Sequence, residues 1–199
     1  MSILKKIKKN INYWPNQFAI IAFLMLLMIS YIVTYRIYNI EYNKELLKVK
    51  EESFYVKNQL EYIMNHSSSV IKITSFLVEK DMAEKEFERV SKSILEKDKS
   101  IDAVQLVKGF TIYKTYPVKG NEKAIGHNLM HDDSHKKAIN QAIKKNRIVF
   151  EGPIKLVQGG VGIVGREPIY KDKKLWGFAA VLIKMETLLK TIRLNNTGV

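Results

Sequence analysis

The spacing of apolar positions changes along this chain, and each change marks an element. Phe18–Tyr35 is a run of 18 residues without a charge. A helix of that length just crosses a hydrocarbon core about 30 Å thick. From Arg36 to about residue 78 the apolar positions repeat every seven residues, at Val49, Val56, Ile63, Val70 and Leu77. Leu46 and Leu60 fall at the companion spacing, while Ser53, Ser67 and Thr74 take the other companion sites. No Pro or Gly occurs between Pro15 and Gly109, so long helices are free to form. Asp81 to Lys99 predicts a second, charged helix with Phe87, Val90, Ile94 and Leu95 on its buried face. The pattern then turns to strands. Ile101–Val107 and Phe110–Tyr116 flank Lys108-Gly109, a hairpin signal. A loop punctuated by Pro117, Gly120 and Gly126 leads to a helical stretch, His135–Lys145, with Ala138, Ile139, Ala142 and Ile143 on one side. Three β-rich runs close the pattern: Arg147–Val157, Val161–Tyr170 and Leu175–Met185.

These elements divide the chain into residues 1–17, a transmembrane helix at 18–35, a helical stalk at 36–100, a sheet core at 101–189 and a tail at 190–199. β-Branched residues in heptad phase favour parallel helix pairs. Val49, Val56, Ile63 and Val70 are therefore expected to form the seam of a parallel homodimer. The alternative is that the same stripe packs on the domain's own sheet, and part of it can serve each purpose.

Strand, strand, helix, strand, strand, strand is the element order of PAS-like extracellular sensor modules, and the local text sharpens the likeness. Tyr116-Pro117, Gly120-Asn121-Glu122, Ile125-Gly126, Gly152-Pro153, Leu156-Val157-Gln158-Gly159-Gly160, Gly165-Arg166-x-Pro168 and Trp176-Gly177-Phe178 follow one another in that order. Together they resemble the CHASE domain, the extracellular sensory domain of histidine kinases and of cyclic-dinucleotide cyclases and phosphodiesterases. The resemblance implies an α+β fold: an N-terminal transmembrane helix continuing into a long helix, then a PAS-like antiparallel sheet. It also implies a receptor that senses a small molecule outside the membrane. The family pocket would lie between the sheet and its covering loops, near Pro117–Gly126 and Ile163–Arg166. In the family a second membrane segment and a cytoplasmic enzyme follow the sensor, so this chain is expected to be part of a longer sensor kinase or diguanylate cyclase, the alternative being a stand-alone module.

Charge orients the chain. Lys5, Lys6, Lys8 and Lys9 precede the apolar run, and mixed charge follows Arg36. The positive-inside rule then puts the N-terminus in the cytoplasm and the rest outside the cell (inner) membrane. Tyr13 and Trp14 at one edge, and Tyr31 and Tyr35 at the other, sit where interfacial aromatics do. The net charge of +13 comes from 33 Lys and Arg against 20 Asp and Glu. Its lysines are spread along the chain and interleaved with Glu, as on solvated faces, so no nucleic-acid partner is expected. The absence of cysteine excludes disulfides and thiolate chemistry.

No catalytic constellation, cofactor motif or phosphate cradle stands out, so this chain is not expected to be an enzyme. His127, His131 and His135 are spaced by four beside Asp132 and Asp133, a metal-like pattern only on a continuous helix. Gly126 before them, and Asp132 or Asp133 as a helix N-cap, instead predict that His127 and His131 lie in a solvated loop, with no metal site. Five polar or amphipathic residues fall inside the motifs and are the ligand-binding candidates: Tyr116, Asn121, Gln158, Arg166 and Trp176. Arg166 offers a donor fork suited to a carboxylate or phosphate, or else pairs with Glu122, Glu151 or Glu167. Asn121 and Gln158 both donate and accept, and Tyr116 and Trp176 supply apolar walls or core. The competing function is a one-pass coiled-coil envelope scaffold or pilin-like subunit without a ligand. A pilin would carry a Gly-ended processing site and a Glu early in the apolar run, and neither precedes or enters Phe18–Tyr35.

Overall fold

The computed structural model describes residues 14–131 and 133–194. The chain divides into two compact units at Tyr55 and Val56. One helix, α1 (Trp14–Glu79), supplies the described part of the first unit and opens the second. In the first unit its described apolar side chains are largely exposed, Leu24 by 57% and Leu26 by 65%. The helix is long and apolar enough to cross a membrane, by length and composition.

In the second unit α1 ends where Asp81 takes a left-handed conformation, and Met82 N–H closes the turn on Leu77 O at 2.8 Å. Aspartate is among the few side chains that accept that geometry in place of glycine. Helix α2 (Ala83–Lys97) follows and buries Ala83, Phe87 and Ser91, with Val90, Ile94 and Leu95 packed beside them. Then come β1 (Ala103–Lys108), β2 (Thr111–Tyr116), α3 (Asp133–Lys145), β3 (Val149–Lys155), β4 (Val161–Lys171), β5 (Lys174–Lys184) and α4 (Met185–Leu194). The strands form one antiparallel sheet in the order β2-β1-β5-β4-β3. This is the PAS-like α+β architecture expected from the element order, with the long apolar helix before it. Helix α4 spans the expected boundary between the core at 101–189 and the tail at 190–199. Asp132, one of the two cap candidates for α3, lies outside the described residues.

Alternation along each strand assigns the two faces of the sheet. Val104, Leu106, Ile169, Ala179 and Val181 meet Val70, Ile71, Leu77 and Val78 of α1 and Phe87 of α2. Ile63 packs on Ile183 and Leu188. Ile63 and Val70 are thus 1% and 2% exposed inside the protein's own core. They are not available as a dimer seam, whereas Val49 and Val56 remain exposed at 58% and 37%. A seven-residue apolar period reads alike whether the stripe meets a partner helix or a sheet. The opposite sheet face carries Val107, Ile112 and Phe178 against Ile139 and Ala142 of α3, and Ala103, Val164, Ala180 and Leu182 against Ile154 and Leu156.

Gly165 shows why α1 can lie so close. A Cβ there would come within 2.5 Å of the Phe150 ring and 3.0 Å of Ile71 Cδ1.

Candidate functional site

The sheet face away from α1 and α2 carries an unusual share of buried polar side chains. Across it run Thr115, Gln105, Ala180, Arg166 and Val149, register neighbours on the five strands. Gln105 is 3% exposed, Thr115 4% and Arg166 4%. Glu151, one row away on β3, pairs in register with Val164. Helix α3 sets His135, 3% exposed, over the same place.

These groups form one network. His135 Nδ1 lies 2.5 Å from Glu151 Oε1, and Arg166 Nη1 donates to that same oxygen. An ionised carboxylate can only accept, so the Nδ1 of His135 carries the proton. Burial alone pushes the Glu151 carboxyl up. The hydrogen bond from His135 and the charge and hydrogen bond of Arg166 outweigh it and hold the group below the usual carboxylate range. The other oxygen, Oε2, and Arg166 Nε are buried without a hydrogen-bond partner among the described residues.

The hairpin between β3 and β4 covers this network. Its tip is closed by Leu156 N–H on Gly160 O at 3.0 Å. Gln158 Nε2 donates to Asn121 Oδ1 at 3.0 Å, and Asn121 Nδ2 donates to Pro117 O at 2.9 Å. The loop Pro117–Gly126 and the hairpin tip are thereby tied together. Beneath them lies a cavity of about 20 Å³, lined by Gln105, His135, Gln158, Arg166 and aliphatic side chains. That volume accommodates one water molecule.

Residues 107–198 match the CHASE domain. The match bears out the resemblance carried by the motifs, and the network and its covering hairpin lie within the matched segment. No curated protein matches the chain. Among solved structures, it is similar to an extracellular ligand binding receptor from Desulfohalobium retbaense at TM-score 0.58 and 15% identity, covering 70% of this chain and 25% of that one. The sensor domain of the Vibrio cholerae histidine kinase DctB aligns at TM-score 0.57 and 11% identity, covering 77% of this chain and 61% of the other. The ligand-binding domain of the Pseudomonas aeruginosa amino acid chemoreceptor PctC, in complex with GABA, aligns at 0.50 and 15%, covering 70% and 63%. This chain thus spans between a quarter and under two thirds of those structures' lengths. At such identities the likeness is one of fold.

Within the matched segment, Arg166 and Gln158 line the cavity and Asn121 is hydrogen-bonded to Gln158. Arg166 takes Glu151, one of its three expected carboxylate partners. Glu122 instead accepts from its own amide and that of Gly120, which lowers its carboxyl, and Glu167 accepts from Ser75 Oγ at 3.1 Å. Tyr116 and Trp176 lie on the other sheet face, beside the helices. Tyr116 lines an open groove of about 280 Å³ together with Tyr113, Phe87 and Glu84. Trp176 meets Tyr113 edge-on at 5.8 Å. Burial, with Glu84 adding to it, pushes the Tyr113 hydroxyl up to about 12. The two aromatics therefore do not join Arg166 in one site. Sequence reasoning treated His135 only as a metal candidate and did not single out Gln105. A His followed sixteen residues later by a Glu on a strand end carries no motif, and register alone brings them together.

Proposed function

We propose that this chain is the extracytoplasmic ligand-sensing part of a membrane-anchored receptor, with α1 as both anchor and conduit. The observation that carries the reading is the buried His135–Glu151–Arg166 network beneath a latched hairpin, on a sheet that matches the CHASE domain. Buried charges stabilise a fold poorly compared with apolar side chains of the same volume, so a core that retains them invites a reason other than stability. Arg166, Gln158 and Asn121 are the site residues of this reading. The receptor would sit in the inner membrane as a homodimer and pass its signal to a histidine kinase or diguanylate cyclase. The solved relatives named above include a histidine kinase sensor and a chemoreceptor domain, which agrees with that class of output.

A scaffold without a ligand is favoured by one feature, the small size of the cavity. The sensor reading requires the hairpin tip to lift. Thermal unfolding of the full chain in lipid nanodiscs, with a library of small metabolites, separates the two. The sensor reading expects at least one compound to raise the melting temperature, with the shift lost in Asn121→Ala. A library that leaves the melt unmoved while Asn121→Ala remains folded favours the scaffold.

A further inference from the structure

The class of ligand follows from which polar atoms around the cavity are already used. Arg166 Nη1 donates to Glu151 Oε1, and His135 Nδ1 points to the same oxygen. The positive charge of Arg166 is therefore matched inside the protein by a carboxylate whose side chain is 8% exposed. Two polar atoms of this pair are left over, the donor Arg166 Nε and the acceptor Glu151 Oε2. Both are buried, and neither has a partner among the described residues. A buried donor or acceptor left unmade is costly, and more so when the group is charged.

Resting on the sensor reading of this site, we propose that lifting the hairpin tip extends the cavity, which Arg166 lines and Glu151 does not, to both of these atoms, and that it then takes a small molecule of zero net charge that offers an acceptor to Arg166 Nε and a donor to Glu151 Oε2. An anion, the ligand that a lone strand arginine would suggest, would set a second negative charge beside Glu151 with no cation left to match it. A cation would meet Arg166 in the same way. Unmatched charge in a dry site is the most expensive thing to bury. Two kinds of head group meet the requirement. A carboxamide supplies the acceptor and donor from one planar group, and a zwitterion supplies them as carboxylate and ammonium. Apart from Gln105, His135 and Gln158, the rest of the wall is aliphatic, with Ile112, Leu129, Ile154, Leu156, Val164 and Leu182, so the body of the ligand is mainly aliphatic as well. Entry displaces the tip around Gln158, because the cavity of about 20 Å³ holds no more than a water.

Four near-isosteric probes test the charge rule: butyramide, 2-aminobutyrate zwitterion, butyrate and butylammonium, each titrated into the full chain in nanodiscs. Molecules of this size bind weakly, with Kd on the order of millimolar, so concentrations of about 50 mM are needed. The expected result is a melting temperature raised by about 2 °C or more by butyramide or by the zwitterion, with butyrate and butylammonium inert. Which of the two neutral probes acts identifies the head group. Glu151→Gln then removes the internal counter-charge, and preference should move toward butyrate by about tenfold or more. A wild-type preference for butyrate or butylammonium overturns the charge rule and leaves the sensor reading standing. Silence of all four probes also overturns it. The sensor reading itself fails only if the wider metabolite library is silent too. Where Glu151→Gln does not fold, the wild-type ratio of butyramide to butyrate decides alone.

Discussion

Removing Arg166 should be costly even without a ligand, and the cost should depend on pH. In Arg166→Met the Glu151 carboxylate stays buried with only His135 to meet it. Breaking a buried pair by deleting one partner costs about 3–5 kcal/mol. A domain of this size shifts its melting temperature by roughly 2–4 °C per kcal/mol, so the expected drop is roughly 6–20 °C at neutral pH. Removing both charges in Arg166→Met/Glu151→Met should restore most of it, because no lone charge is left behind. The pH dependence follows from the direction of the Glu151 shift. Burial raises that carboxyl, but His135 and Arg166 together bring it below its ordinary value of 4.5. The folded value lies below the unfolded one. The stabilisation is therefore complete above the unfolded value and is lost as pH falls through the folded one. Without Arg166 the lowering shrinks, and Glu151 protonates at higher pH. The gap between wild type and Arg166→Met should be widest near pH 7 and narrow toward about pH 4. Thermal scans of the full chain from about pH 4 to 8 measure it. A mutant melting within about 2 °C of wild type at pH 7, or a gap that does not change with pH, would refute the buried-pair argument.

Two further outcomes are expected. If the proposed homodimer forms through the second unit's part of α1, its seam lies on the outward stripe of Tyr62, Ile73 and Phe76, which are 65%, 46% and 50% exposed. The native chain has no cysteine, so single Cys substitutions at 73 or 76 should cross-link in membranes while those at 63 or 70 do not; the reverse pattern would reject this phase. Asp102 caps α4 from a distance, accepting from Lys184 N–H at 2.6 Å and Thr187 Oγ1 at 2.7 Å. Asp102→Ala should cost about 0.5–2 kcal/mol and speed amide exchange in the first turn of α4, and an unchanged exchange rate there would show that the cap is idle.

The strands were legible in the sequence because alternation and turn residues are local signals. Lys108-Gly109 gave away the β1–β2 hairpin, and Gly109 does take a positive φ of 58°. Other features depend on contacts across the fold. Helix α4 reads as a strand end and a tail, because its cap comes from Asp102, eighty-two residues before Lys184. The β4–β5 turn uses Asp172 and Lys173, both at positive φ, with no glycine to announce it. Of the site, Arg166, Gln158 and Asn121 were visible through their glycine-rich surroundings. Tyr116 and Trp176 were drawn into it by motif alone. The β1–β2 register shifts opposite Leu106 and Val107, and such a bulge resets which side chains face which way. Nothing local in the text around Tyr116 records that shift. Along α1, Ile63 and Val70 kept their heptad phase and lost their predicted partner, because the sheet competes for the same stripe.

Strand β4 joins the two faces of the sheet at single-residue intervals. Val164 and Arg166 line the cavity, while alternation turns Gly165 and Glu167 to the face on which α1 packs. Gly165 leaves room for Ile71 against the strand, and Glu167 accepts from Ser75. A ligand that takes up Arg166 Nε and Glu151 Oε2 therefore acts on a strand whose next residue in each direction touches α1. Interiors packed at crystal-like density do not absorb such a displacement locally. The small polar side chains at the heptad companion sites of α1, Ser67 and Thr74, are themselves buried, at 0% and 2% exposed. Ser67 Oγ has no partner among the described residues, and Thr74 Oγ1 donates to Val70 O at 2.8 Å within its own helix. Neither hydroxyl is bound to the sheet. Short side chains with few cross-links allow a helix to slide along a strand at little cost, whereas interdigitated leucines resist it. The contact between α1 and β4 combines close approach with the Ser75–Glu167 hydrogen bond, and such a contact lets a small strand movement become a helix movement rather than a broken core.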